Sequence, residues 1–326
     1  MKNGRPAILS NRTAEEYART IADDIGFQYI ETERQYHPDG ELGVHIKESI
    51  RGADVFYICP YYPDPMKRHT ENMIMTGTIK DASANRLTLV PTYLGFQRSD
   101  WKDKSRVPIS IKYVIKTLQS VGMDKLLTMH LHAPQIQGMF DNPVDVLQAL
   151  PIFEEWYHEM GLDPNKVVVV STDSGGTKYC EQCAGVAGVK DVGFIYKRRL
   201  DDEEVETHDF SGEAEGKVVI MPDDQLSTGN SLRKGAKRLK EKHGAEKVYG
   251  FCTHAIFSKT KNGSSEDLFK NDEYLDRVVV TDTIPREQKW IDKYKDRIQV
   301  RSSIDLFSKA IERIHNDESL SDLFQT

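Results

Sequence analysis

The chain has 326 residues, of which 38% are hydrophobic and 29% charged, with a formal net charge of −7. At ~150 residues per domain this length predicts two domains. The negative balance argues against a general nucleic-acid binder, since affinity for a phosphate backbone comes from cations, and no apolar run approaches the ~20 residues that span a bilayer.

The opening stretch "MKNGRPAILSNRT" is too short in apolar length for a signal peptide, so the expectation is a cytoplasmic protein. "PAILS" reads as a strand leading into "TAEEYARTIADDIG", a helix that Thr13 can cap and Glu16 can complete as a capping box. "ADVFYICP" is a strand, residues 72–84 predict a helix, and "RLTLVPTYL" is the next strand. Pro108 opens the helix of "PISIKYVIKTLQSVG". "KLLTMHLH" is again a strand. A second series follows: "KVVVVSTD", "GGTKYCEQCAGVAG", "DVGFIYKRR", "GKVVIMPDD", a helix from Ser231, "KVYGFCTHAIF", "RVVVTDTI" and a closing helix in "SIDLFSKAIERIHN". Strands alternating with amphipathic segments predict an α/β protein with mainly parallel sheets flanked by helices. Two halves of similar rhythm meet near residues 145–160, which predicts domains over 1–150 and 151–326.

The four cysteines are too few for a disulfide scaffold. Cys180 and Cys183 in "CEQC" lack the second pair a structural zinc site needs, so they read as two thiols on one helix face. In the helix after Ser231, Leu232, Ala236 and Leu239 keep an apolar face, and its cations read as a solvated outer face.

Ligands in open α/β sheets bind at the carboxyl ends of strands. Four such ends carry chemistry here: His130 and His132, Asp173, Lys197 to Arg199, and Asp223 with Asp224. The adjacent acids are followed by the small loop Ser227, Thr228, Gly229, Asn230, Ser231, which opens a helix. Acids repel phosphate, whereas the N–H groups and dipole at a helix start attract it. The combination suits a ligand with two ends, a polyol or metal ion for the acids and a phosphate for the loop.

The stretches "PDGELGVHIKESIRGADVF", "SRVPISIK", "LLTMHLHAPQIQGMFDNPVDVL", "YKRR", "DDQLSTGNS", "VVVTDTIP" and "HNDESLSDLF" resemble the ribose-phosphate diphosphokinase family along nearly the whole chain. The resemblance implies a tandem of two phosphoribosyltransferase-type domains. The first would carry ATP and subunit contacts, and the second, packed with the C-terminal helix, the ribose-phosphate and catalytic loops. It implies transfer of the β,γ-diphosphoryl group of ATP to the anomeric hydroxyl of ribose 5-phosphate, with Mg2+ as cofactor. Asp223 and Asp224 would hold the ribose hydroxyls, directly or through Mg2+, and the loop Ser227 to Ser231 the 5-phosphate. His132 and Asp173 would serve the metal–nucleotide complex, and Lys197 and Arg199 would be the catalytic pair on a mobile loop. His37, Asp39 and Glu41, with Arg98, Ser99 and Asp100, would bind ATP, the first three donated by a neighbouring subunit of a homo-oligomer, from a dimer up to a hexamer.

This chain departs from the family pattern at several of those positions. His37 stands for a phenylalanine, Ser99 for a glutamine and His130 for an aspartate. In the phosphate loop Ser227, Asn230 and Ser231 stand for aspartate, glycine and threonine, and "KTKNGSSEDLFKND" is inserted after "THAIFS". The alternatives left open are a larger ribose-5-phosphate ester such as ADP-ribose as acceptor, for rebuilding NAD, and a non-catalytic regulatory relative. An ordinary phosphoribosyltransferase is disfavoured, since one such domain suffices for it.

Overall fold

A computed structural model describes residues 3–173, 175–199, 206–260 and 263–324, with the backbone alone at 197–199, 206–209, 260 and 324. The chain divides into two compact units, one of residues 1–148, 283–285 and 303–325, the other of 149–282 and 286–302. Among the described residues no helix is long and apolar enough to cross a membrane.

In the first unit the strands are β1 (Pro6–Ser10), β2 (Gln28–Tyr29), β3 (Thr32–Tyr36), β4 (Leu42–Ile46), β5 (Asp54–Ile58), β6 (Arg86–Val90), β7 (Lys125–Met129) and β8 (Val144–Leu147). Six of them form a parallel sheet in the order β2-β1-β5-β6-β7-β8, while β3 and β4 make a separate antiparallel hairpin. Its helices are α1 (Glu15–Ile25), α2 (Pro65–Asp81) and α3 (Ser110–Ser120). Three helix starts differ from the sequence expectation. A short 3₁₀ turn, Arg12–Ala14, occupies the place of the expected cap, so Thr13 instead donates its hydroxyl to Asn11 Oδ1 at 2.8 Å and Glu16 simply lies in the first turn of α1. Helix α2 starts at Pro65 rather than 72, because Asp64 caps it by accepting the Lys67 N–H at 3.2 Å and Pro65 fits its first turn. Helix α3 starts at Ser110, two residues beyond Pro108, and the hydroxyl of Ser99 receives the Ser110 N–H at 3.3 Å.

The second unit contains β9 (Val167–Ser171), β10 (Asp191–Arg199), β11 (Glu206–Ser211), β12 (Val218–Leu226), β13 (Lys247–Ala255), the pair β14 (Lys259–Thr260) and β15 (Gly263–Ser264), β16 (Arg277–Thr281) and β17 (Ile298–Arg301). The main sheet runs β11-β10-β9-β12-β13-β16-β17, parallel except where β11 folds back on β10. Helices α4 (Leu150–Glu159), α5 (Thr177–Val186), α6 (Asn230–His243), α7 (Ser265–Lys270) and α8 (Gln288–Tyr294) accompany it. The valines of β9 and the first four residues of β12 are buried, which explains why continuous apolar runs mark these strands. Cys180 and Cys183 are both buried on α5, and burial pushes the Cys180 thiol up to about 12.

The C-terminal helix α9 (Ile304–His315), followed by the short α10 (Ser321–Phe324), belongs to the first unit, against the expectation that it packs with the second half. The reason is a buried carboxylate. Asp54 accepts from Arg86 Nε at 2.8 Å and Nη2 at 2.6 Å, and lies 2.7 Å from His315 Nδ1. Arg86 also donates to the carbonyl of Ile314 at 2.8 Å. Phe307 of α9 meets Tyr17 of α1 edge to face at 6.3 Å.

Candidate active site

Strand β12 carries Asp223 and Asp224 inside its own span, in register with Cys252 at Asp223. The Asp224 N–H donates to Asp223 Oδ1 at 2.8 Å, and Gln225 Nε2 donates to Asp224 Oδ2 at 3.1 Å. Burial first, then the charge of Asp224, then that of Asp173, hold the Asp223 carboxyl well above the usual carboxylate range. Asp173, just past the end of β9, accepts on Oδ1 from Gly175 N at 2.8 Å and Gly176 N at 3.0 Å, which shapes the turn into α5. The structure therefore brings Asp173, Asp223 and Asp224 into one electrostatically coupled group.

The loop after β12 has its left-handed residue at Gly229, with φ +70° at the N-cap of α6. A Cβ there would also fall 2.1 Å from the ring of Phe269, so glycine is required twice over. Asn230 is the first residue of α6. The departure from glycine at 230 therefore falls on a position with ordinary helical backbone and costs no strain. The N-cap glycine offers no side chain, Thr228 Oγ1 accepts the Asn230 N–H at 3.5 Å, and the first N–H groups of any helix lack acceptors within it. Ser227 turns the other way. Its hydroxyl lies 2.9 Å from that of Ser258, and its carbonyl accepts from Ser258 N at 3.0 Å and from the Ser265 hydroxyl at 3.0 Å.

In the first unit a second constellation forms after β6 and β7. Gln97 Oε1 accepts the His132 N–H at 2.8 Å, and Gln135 donates to buried Asp100 at 3.2 Å, so the loop of Arg98, Ser99 and Asp100 is tied to the segment carrying His132. His130 takes φ +41°, a region that Asn, Asp and His adopt more readily than other side chains. A histidine in place of the family's aspartate thus keeps the backbone possible. His37, Asp39 and Glu41 are exposed at the tip of the β3–β4 hairpin, closed by His37 N to Glu41 O at 2.8 Å and by Asp39 Oδ1 accepting Glu41 N at 3.1 Å.

Lys197 and Arg199 lie on β10 rather than in a loop, paired with His208 and Glu206 of β11, while their side chains are outside the described residues. Of the two residues expected to serve metal and nucleotide together, His132 belongs to the first unit and Asp173 to the second. Among the described residues no three His, Cys, Asp or Glu side chains are arranged to hold a metal ion by themselves. Sequence reasoning missed Gln97, Ser258, Ser265 and Phe269. Gln97 is buried with its Nε2 lacking a partner among the described residues, and nothing in a lone glutamine within a loop signals that.

The raised Asp223 carboxyl has a testable consequence. The folded protein keeps its proton to higher pH than the unfolded chain, so across the window between the ordinary and the raised value stability falls as pH rises. Asparagine mimics the protonated form. In metal-free buffer Asp223→Asn should therefore melt higher than the parent at about pH 8, with the gap closing near pH 4, below which both states are protonated. Equal gaps at both pH values would exclude the electrostatic origin.

Residues 6–122 match the family described as the N-terminal domain of ribose phosphate pyrophosphokinase, and residues 203–325 match the phosphoribosyl synthetase-associated domain. A ribose-phosphate pyrophosphokinase of Fusobacterium nucleatum is 37% identical over 317 residues, covering 97% of each chain. That of Thermotoga maritima is 37% identical over 319 residues, covering 98% of each. The crystal structure of phosphoribosylpyrophosphate synthetase from Mycobacterium smegmatis superposes with a TM-score of 0.86 at 28% identity, covering 96% of this chain and 99% of that one. With full-length identity at this level and the fold shared from end to end, the chain belongs to the ribose-phosphate pyrophosphokinase family.

Proposed function

We infer that the chain is an ATP-dependent diphosphokinase that converts ribose 5-phosphate to phosphoribosyl diphosphate. The anomeric oxygen attacks the β-phosphorus of ATP, the bond from that phosphorus to the α-phosphate oxygen breaks, the hydroxyl proton leaves, and AMP departs. The observation that carries the reading is the run from paired acids to anion loop, Asp223 to Ser231, within one strand–helix junction. Asp223 and Asp224 accept hydrogen bonds from the vicinal ribose hydroxyls, and the loop from Ser227 to Ser231 turns N–H groups to the 5-phosphate. Lys197 and Arg199 supply positive charge to the diphosphoryl group as it passes between oxygens.

The donor set fits magnesium. Asp173, Asp223 and Asp224 offer hard oxygens whose mutual repulsion a cation would relieve. They do not complete a cage, and magnesium is commonly held by one or two carboxylates together with substrate phosphates. What Mg2+ would supply when bound is neutralisation of phosphate charge; in the second unit Asp173 with the Asp223–Asp224 pair would hold it, and in the first unit His132 would serve the nucleotide.

Lys197→Ala and Arg199→Ala should each lower kcat by ~10²–10³ while leaving ATP affinity little changed, because a transition-state donor is lost. AMP release measures this, and normal turnover in both variants would remove the pair from the mechanism. The exposed hairpin tip with His37, Asp39 and Glu41 supports donation of these residues to a neighbour's purine. The active form is then a homo-oligomer of at least two subunits, and a fully active monomer in sedimentation at assay concentration would refute it.

A second reading of the acceptor, ADP-ribose, is favoured by one observation. Ser227, which replaces an acid of the family loop, has both its hydroxyl and its carbonyl engaged with Ser258 and Ser265. Exchange of the loop's acid, glycine and threonine, with Lys197 and Arg199 kept, is the pattern that a changed substituent on the 5-phosphate would produce. With equal ribose 5-phosphate and ADP-ribose competing for ATP, products resolved by mass should be mainly phosphoribosyl diphosphate. Exclusive diphosphorylation of ADP-ribose would overturn the first reading.

A further inference from the structure

We propose that α7 is a brace that fixes the anion loop, with Ser265 and Phe269 as positioning residues for the acceptor's phosphate. This rests on the reading of Ser227 to Ser231 as the phosphate loop. For N–H groups at the start of α6 to meet a phosphate without reorganising, the peptides from Ser227 to Gly229 must be held. The side chain and carbonyl of Ser227 are held by contacts from a different part of the chain.

The contacts come from both ends of α7. At its start, fully buried Ser265 places its hydroxyl 3.0 Å from the Ser227 carbonyl and 2.5 Å from that of Ser258, while Ser258 and Ser227 join hydroxyl to hydroxyl at 2.9 Å. Toward its end, the Phe269 ring, 1% exposed, packs against the Cα of Gly229 so closely that no side chain fits between them. Just beyond, buried Asp272 pairs with Arg233 Nε of the first turn of α6 at 2.5 Å and accepts Tyr274 N and Leu275 N, both at 2.9 Å. The loop is held at its first residue, at its glycine and at the helix it opens into.

The brace is itself anchored. Trp290 Nε1 of α8 donates to Glu266 Oε1 at 3.2 Å, and the Tyr294 hydroxyl donates to Asp267 Oδ1 at 2.8 Å. Phe257 lies between Phe269 and Trp290, with ring centroids 6.0 and 5.6 Å away. A loop held in this way is ordered when the protein folds, so phosphate binding does not bear that entropy cost. Loss of the brace should weaken the acceptor in ground state and transition state alike, which raises KM and spares kcat.

Ser265→Ala removes one hydroxyl with little change of volume, and Phe269→Leu keeps an apolar side chain while opening space beside Gly229. Each should raise the KM for ribose 5-phosphate by about 5–10-fold, the worth of one hydrogen bond or a small packing defect. The kcat and the KM for ATP should stay within about 2-fold. The independent readout is amide hydrogen exchange of the peptide spanning Asn230 to Leu232, with inorganic phosphate as probe. Without phosphate, exchange there should be faster in both variants than in the parent. Phosphate at one fixed concentration should slow it in the parent and less in the variants. An acceptor KM equal to that of the parent, or a kcat that falls as much as kcat/KM, would overturn the brace, as would unaltered exchange. If the parent does not turn over ribose 5-phosphate at all, it is the functional reading that fails, and the exchange comparison still decides whether α7 fixes the loop.

Discussion

Two carboxylates on consecutive residues at a strand end, with a third charge beside them, are the constraint from which the second unit follows. Burial and the charges of Asp224 and Asp173 all oppose ionisation of Asp223, so the unliganded site is electrostatically unfavourable. A fold selected for stability alone would place apolar or hydrogen-bonded neutral groups there. The acids sit on β12 where its pairing with β13 continues past them to Leu226, while its pairing with β9 ends at Ile220. A cation beside the three carboxylates would relieve that repulsion. Such sites trade stability for binding.

How much of this was legible beforehand depends on what each element shows to its neighbours. Strands such as β9 and β5 are buried along their whole length and announce themselves as apolar runs. Helix α2 does so only in its second half, where Met75 and Ile79 are buried, and its start was missed because the face its first half buries is polar. Arg68, Glu71, Asn72 and Thr76 are all buried there, with Glu71 ion-paired to Arg34 at 2.6 Å and Asn72 donating to the Cys59 carbonyl at 3.0 Å. Apolar periodicity cannot find a helix whose inner face is a hydrogen-bonded network, although the "DP" start signal was present at Asp64 and Pro65. The membership of α9 was equally invisible, since an amphipathic helix states that it packs but not against which unit. The contact of Phe307 with Tyr17 and the Asp54–Arg86–His315 cluster, residues far apart in sequence, tie it to the first unit.

For the site, the residue types and their order were readable and the support was not. Asp223, Asp224 and the loop that follows are contiguous, so sequence alone suggested a ligand with two ends. The residues that hold the loop come from 30 to 40 positions further on, beginning at Ser258 and Ser265. A lone serine or phenylalanine in an insertion carries no signal of this kind. Lys197 and Arg199 were expected on a mobile loop from the resemblance to the family, yet their backbone continues β10 and pairs with β11. Strand pairing depends on a partner that local composition does not reveal.

The departures from the family pattern fall into two physical classes. His130 and Asn230 exchange residues where the backbone still accepts the newcomer, one at a positive φ that histidine tolerates and one inside a helix where glycine has no special merit. Those exchanges need no compensation. Ser227 is different, since replacing a longer acid with a hydroxyl shortens the reach of the side chain and removes a charge. Its hydrogen bonds run to Ser258 and Ser265, which flank the pair β14–β15. Ser265 is buried against the Ser227 carbonyl and Phe269 against Gly229, so the loop between β12 and α6 is packed at its first residue and at its left-handed turn.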